Sequence, residues 1–172
     1  MTPGSARVEP LATLGVVEIL STVPGLSPRR VRLVLSGLPE AEGYELAIKP
    51  LRYRTRPHLA ALTEFAVQRI TVQVPHPFLP FGEIIPYAAK RLPAKGLRFV
   101  WLSEGVTFRS PSEVVRFLYL HEWMHWYVRE RLGQRAHKET ACDRFALWNY
   151  QRKRVGEVQA QAALRRIPRT DK

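Results

Sequence analysis

Between Phe117 and Val128 the chain reads Phe-Leu-Tyr-Leu-His-Glu-Trp-Met-His-Trp-Tyr-Val, and Glu122 is the one acidic residue in that stretch. A carboxylate in so apolar a run is costly to bury unless something pairs with it. Its neighbours supply a reason. His121 and His125 are four apart, which on a helix sets them on one face, one turn from each other. Two imidazoles so placed can bind one Zn2+, and Glu122 can reach a water held there and take its proton. Zinc sites that do chemistry use three protein ligands and leave a fourth position for water. The third must therefore come from another element. Glu139 and Asp143 are again four apart. Glu139 can complete a His2Glu set, and Asp143 can then accept the free ring N–H of a ligand histidine and fix its tautomer. The thirteen residues between His125 and Glu139 fit a helix end, a tight loop and a returning turn.

Two helices must position these groups. Ser110-Pro111-Ser112-Glu113 is a start signal: Ser110 as N-cap, Pro111 at the first helical position, Glu113 closing a capping box. The spacing of Val114, Val115, Leu118, Tyr119, Trp123 and Trp126 carries this helix to Leu132, and Gly133 suits its stop. A second helix is predicted from about Ala136–Lys138 past Tyr150. The first half reads as strands at Val16–Leu20, Val31–Leu35 and Tyr44–Ile48, with a hairpin-type loop at Leu38–Gly43. Leu59, Leu62, Phe65 and Ala66 predict a helix over Pro57–Gln68. Ile70–Val74 is a strand, prolines between Pro75 and Pro86 predict an irregular stretch, and Leu97–Leu102 is a further strand. The expected fold is α+β. A mostly antiparallel sheet from the first half packs on the helix that carries His121, and a second helix brings the remaining metal ligand. One domain is expected over residues 1–150, β-rich to residue 56 and catalytic from 57 to 150, with a basic tail over 151–172.

The pattern His121-Glu122-x-x-His125 followed by Glu139-x-x-x-Asp143 resembles the gluzincin clan of zinc metallopeptidases. The longer string Glu139-x-x-Cys142-Asp143-Arg144-Phe145-Ala146 is similar to a segment of the small intracellular ImmA/IrrE-type peptidases, with Cys142 standing where that family has Ala. The resemblance covers Ser110 to Ala146. It implies a zincin-like fold, a single Zn2+, a protein or peptide substrate and Glu122 as general base. It also implies a Tyr or His that hydrogen-bonds the oxyanion; Tyr87, Tyr127, Tyr150 and His137 are the candidates. The SprT-like group is the rival, with a downstream histidine as third ligand, here His137. An extended substrate is expected along a sheet edge as an added strand, with Leu97–Leu102 or its neighbour as that edge. Cys142 points to a different face from Glu139 and Asp143 and is expected in the core. His58 and His76, near prolines, read as loop histidines.

The rest of the composition bounds the partners. The chain has 172 residues, 45% of them hydrophobic, so it can bury a core without staples. One cysteine excludes an internal disulfide framework and favours a reducing, cytoplasmic setting. No run approaches the roughly 18 apolar residues of a membrane span, and Leu11–Leu20 lacks the basic flank of a secretion signal. The 27 Lys+Arg against 15 Asp+Glu give a net charge of +12. That balance favours anionic partners. Clusters at Arg29-Arg30-x-Arg32, Arg52-x-Arg54-x-Arg56, Arg152-Lys153-Arg154 and Arg165-Arg166 make nucleic acid the alternative partner, alone or alongside peptidase activity. A zinc-stabilised interaction module without catalysis is the third reading; the presence of Glu122 speaks against it, because a structural site has no use for a general base.

Overall fold

The computed structural model describes residues 17–92 and 98–165. Within them, β-branched and aliphatic side chains at alternate positions build a sheet. In β4 (Arg69–Pro75), Ile70, Val72 and Val74 are buried while Arg69, Thr71 and Gln73 are half-buried. This is the period of two that a strand with one packed face needs. β2 (Glu45–Leu51) pairs with β4 in parallel along its whole length, Glu45 opposite Arg69 and Leu51 opposite Pro75. β1 (Ile19–Ser21) adds in parallel to β2. β3 (Ala60–Glu64) adds antiparallel to β4, so the order is β1-β2-β4-β3 with β3 at one edge. The residues on either side of position 56 thus share one sheet.

The α+β class is found, but the sheet is mixed, with two of its three pairings parallel. A parallel neighbour requires a crossover. Between β1 and β2 that crossover is helix α1 (Pro28–Val34), where a strand at Val31–Leu35 was expected. Ser27 caps it by accepting the Arg30 N–H, and Pro28 enters its first turn. Leu38–Gly43 therefore links a helix to a strand and is not a hairpin loop. The helix expected over Pro57–Gln68 is instead β3 and the turn that joins it to β4. Pairing of Ala61 with Val72 and Thr63 with Ile70 outweighs the helical spacing, and Leu62, counted for the apolar face, is 56% exposed.

A separate antiparallel hairpin follows, β5 (Phe81–Leu92) and β6 (Arg98–Phe108). β5 runs through the stretch expected to be irregular. Pro86 sits at a register shift against β6, and each strand of a two-stranded ribbon has one free side, where a missing N–H costs no ladder bond. β6 is longer than the strand expected at Leu97–Leu102, whose first residue lies outside the described ones, as does most of the 11–20 stretch. β6 does not border the main sheet; the edge strand beside the helix that carries His121 is β3.

Helix α2 (Pro111–Trp126) runs on as one π-helical turn, Tyr127–Arg131, and ends before Gly133 at φ +63°. Its capping follows the sequence signal: the Ser110 hydroxyl accepts the Glu113 N–H, and the Glu113 carboxylate reaches back to the Arg109 N–H. α2 packs on β3 and β4 and on helix α3 (Glu139–Asn149). Trp123 stacks on Tyr127 and tilts on Phe145 in the core. Two polar tips on α2 tie down the loop before β2: Tyr119 donates to the Pro39 carbonyl and the Trp123 indole to that of Glu40. The tail is partly helical. In α4 (Glu157–Leu164), Ala160 and Ala163 are fully buried, and Arg144 of α3 donates to the Ala163 carbonyl. No described helix is long and apolar enough to cross a membrane.

Candidate metal centre

α2 sets His121 and His125 side by side, and α3 returns antiparallel to face them with its first residue, Glu139. The three ligand atoms form a small triangle. His121 Nε2 lies 3.2 Å from His125 Nε2 and 3.2 Å from Glu139 Oε2, and His125 Nε2 lies 3.0 Å from Glu139 Oε1. Ligands about 2.0–2.1 Å from a tetrahedral ion stand about 3.3 Å apart. The donor set and its spacing therefore fit a zinc-sized cation. Both imidazole side chains are about seven-eighths buried, at 13% and 14% exposure, whereas the Glu139 side chain is 63% exposed, so the cluster opens to solvent on the Glu139 side.

Asp143, one turn beyond Glu139, completes the support. Its Oδ1 accepts from His121 Nδ1 at 2.9 Å, which fixes that ring and turns Nε2 toward the triangle. Burial works against protonating His121, but its hydrogen bonds to Asp143 and Glu139 outweigh that and raise its pKa to about 10. Burial, then the positive charge of His121, lowers the pKa of His125. The hydrogen bond from His121 lowers that of Glu139. The cluster is thus built to hold positive charge between carboxylates, as a proton or as a metal ion.

Glu122 is only 6% exposed. Its partner comes from the sheet: Thr63, in edge strand β3, donates to Glu122 Oε2 at 2.6 Å. Sequence reading missed Thr63 because it lies 59 residues upstream in a segment read as helix, and a lone Thr carries no local signal. Cys142 is fully buried between Glu139 and Asp143 in sequence but outside the ligand triangle, and burial pushes its thiol pKa up.

The other expected site residues fall elsewhere. His137 is exposed, two residues ahead of Glu139, and close enough to act on His125 and Glu139 through its charge, but it is not in the triangle. Tyr127 is buried against Trp123, and its hydroxyl accepts from Gln161 of α4. Tyr150 packs between Phe108 and Phe117, at the far end of α3 from Glu139. The phenols of Tyr127 and Tyr150 therefore serve the core. Tyr87 stands at the β5 register shift, its carbonyl taken by Arg144. His58 and His76 are exposed, and so are Arg29, Arg30, Arg152, Lys153 and Arg154, none of them in the cluster. No protein-family model, curated protein or solved structure matches this chain.

Proposed function

We propose that the protein is a zinc-dependent peptidase of gluzincin type that hydrolyses a peptide bond in a protein substrate. One observation carries the reading: His121, His125 and Glu139 converge at tetrahedral spacing, with Asp143 behind His121 and the buried Glu122 next in sequence. What a bound zinc supplies is Lewis acidity, which polarises a carbonyl and brings a water toward a pKa of about 7.

The chain's own residues do the rest. Asp143 holds the His121 ring in its ligating tautomer. Thr63 fixes the Glu122 carboxylate, which takes the proton of the attacking water and returns it to the leaving amine. A base held in place in this way loses little freedom at the moment of reaction. An extended substrate can pair with the free edge of β3, the strand that carries Thr63. His137, exposed beside the triangle, is the described candidate best placed to meet an oxyanion.

The test begins with elemental mass spectrometry of the purified protein, followed by hydrolysis of a quenched-fluorescence peptide library. About one zinc per chain is expected, with cleavage lost on chelation and in Glu122→Gln. No metal after zinc titration would remove the peptidase reading. One zinc per chain with no cleavage by either form would favour the non-catalytic module.

A further inference from the structure

We propose that the protein carries, on the side of α2 away from the metal cluster, a face that binds the phosphate backbone of double-stranded nucleic acid. Two basic groups far apart in sequence meet there. Arg29, Arg30 and Arg32 are exposed on α1, and Arg152, Lys153 and Arg154 are exposed after α3. The backbones that carry them touch. Val155 N–H donates to the Gly37 carbonyl at 3.0 Å. A Cβ on Gly37, which has φ +82°, would lie 2.0 Å from the Lys153 carbonyl oxygen. Arg116 of α2 clamps the junction by donating to the carbonyls of Val34 at 2.6 Å, Tyr150 at 2.6 Å, and Arg152. Arg109, exposed just ahead of α2, lines a cleft with Tyr150 and Gln151, while Arg30 lines another with Ser110 and Ser112. Arg109 thus lies between the two groups.

None of these seven cations pairs with a carboxylate among the described residues. The Lys and Arg ion pairs among the described residues are Arg69–Glu45 and Arg131–Glu42, and neither involves this face. The acidic residues nearest to it are Glu18, next to the Val17 carbonyl that accepts from Arg32, Glu157, three residues after Arg154, Glu104, which shares the Arg109 cleft, and Glu113, whose carboxylate accepts the Arg109 N–H. An assembly of like charges repels itself unless an anion joins it. Six of the seven are Arg, whose planar fork matches phosphate oxygens in pairs. Neither α1 nor residues 152–154 carry an aromatic residue, so the face cannot stack bases as single-strand binders do. It can follow a duplex backbone without reading sequence. Leu33 is the exposed large apolar residue on it, too little to anchor in a bilayer.

Arg116 is about 140° from His121 and about 180° from His125 around the α2 axis. A duplex on this face leaves the metal cluster open. The inference does not depend on the peptidase reading.

The test is fluorescence anisotropy of a labelled 20-base-pair duplex over 50–200 mM KCl. The full chain should bind, and six or seven phosphate contacts should give a log–log salt slope of about −6. Replacing Arg29, Arg30 and Lys153 with Ala should flatten that slope by about 3 and weaken binding at least tenfold. Removing the same charge from Arg129, Arg131 and Arg135, of which the first two lie about 20 Å along the helix from Arg116, should leave the slope near its original value. Equal effects of the two triple variants would show a diffuse polycation and overturn the proposal. So would no duplex binding at 50 mM KCl, or tight binding only to phosphatidylglycerol vesicles. Melting temperatures of both variants separate lost binding from lost folding, and Glu122→Gln should bind DNA like the unaltered protein.

Discussion

The two sides of α2 handle charge in opposite ways. On one side, the carboxylates of Glu139 and Asp143 and the imidazoles of His121 and His125 sit about 3 Å apart and satisfy each other. On the other, seven cations stand exposed, and among the described residues no carboxylate pairs with any of them. The first arrangement is compact and nearly balanced, so a single small cation in place of a proton completes it. The second is extended and mostly of one sign, which is the basis for proposing an extended anion there. One helix serves both because its residues at 116 and at 121 and 125 point in nearly opposite directions. This difference in the pairing of charges is why we propose an ion for one side and a polymer for the other.

Breaking the compact side should have the largest effect. Glu122→Gln should reduce hydrolysis by about 10²–10⁴-fold, the range of a positioned acid–base group, with zinc content unchanged. Activity within tenfold of that of the unaltered protein would assign the base elsewhere. Glu139→Ala should then cost zinc affinity more than the roughly 10–100-fold expected of Asp143→Ala, whose role is to orient a ligand. His137→Ala should leave zinc affinity unchanged. A competition titration with a zinc-sensitive dye ranks the three, and the order His137 above Glu139 would exchange their roles. Thr63→Val should lower kcat about tenfold with zinc stoichiometry intact, while Thr63→Ser restores it, since the effect follows the hydroxyl. Equal losses in Val and Ser variants would point to packing of β3. The smallest effect sharpens the contrast itself: Ala at Arg29, Arg30 and Lys153 should change hydrolysis of a short neutral peptide less than twofold. A larger change would mean that the two sides of α2 communicate.

The legible part of the molecule was the part whose signals are local. Ser110-Pro111 with Glu113 marks the start of α2, and four-residue spacing alone sets His121 with His125 and Glu139 with Asp143. The same kind of start, Ser27-Pro28, opens α1, but the Val31-Arg32-Leu33-Val34-Leu35 run carries enough β-branched and aliphatic character to mask it. β3 was hidden for the opposite reason. Its residues suit a helix, and only the partner strand β4 makes them a strand. Pro86 misled because a proline breaks a central strand yet is tolerated in a two-stranded ribbon. Thr63 and the meeting of α1 with residues 152–154 had no signal within the sequence, because each depends on segments brought together by the parallel crossover.

The Arg116 clamp also sets an order in time. Of the three carbonyls that it holds, that of Val34 precedes it by 82 residues, while those of Tyr150 and Arg152 follow it by 34 and 36. A chain growing from its N-terminus has both α1 and α2 before either downstream acceptor exists. Until Tyr150 has been made, the guanidinium can reach one of its partners and water. The long loops that these contacts close carry an entropic cost, so they belong to the late part of assembly. The seam between the two basic segments is therefore among the last parts of the molecule to close.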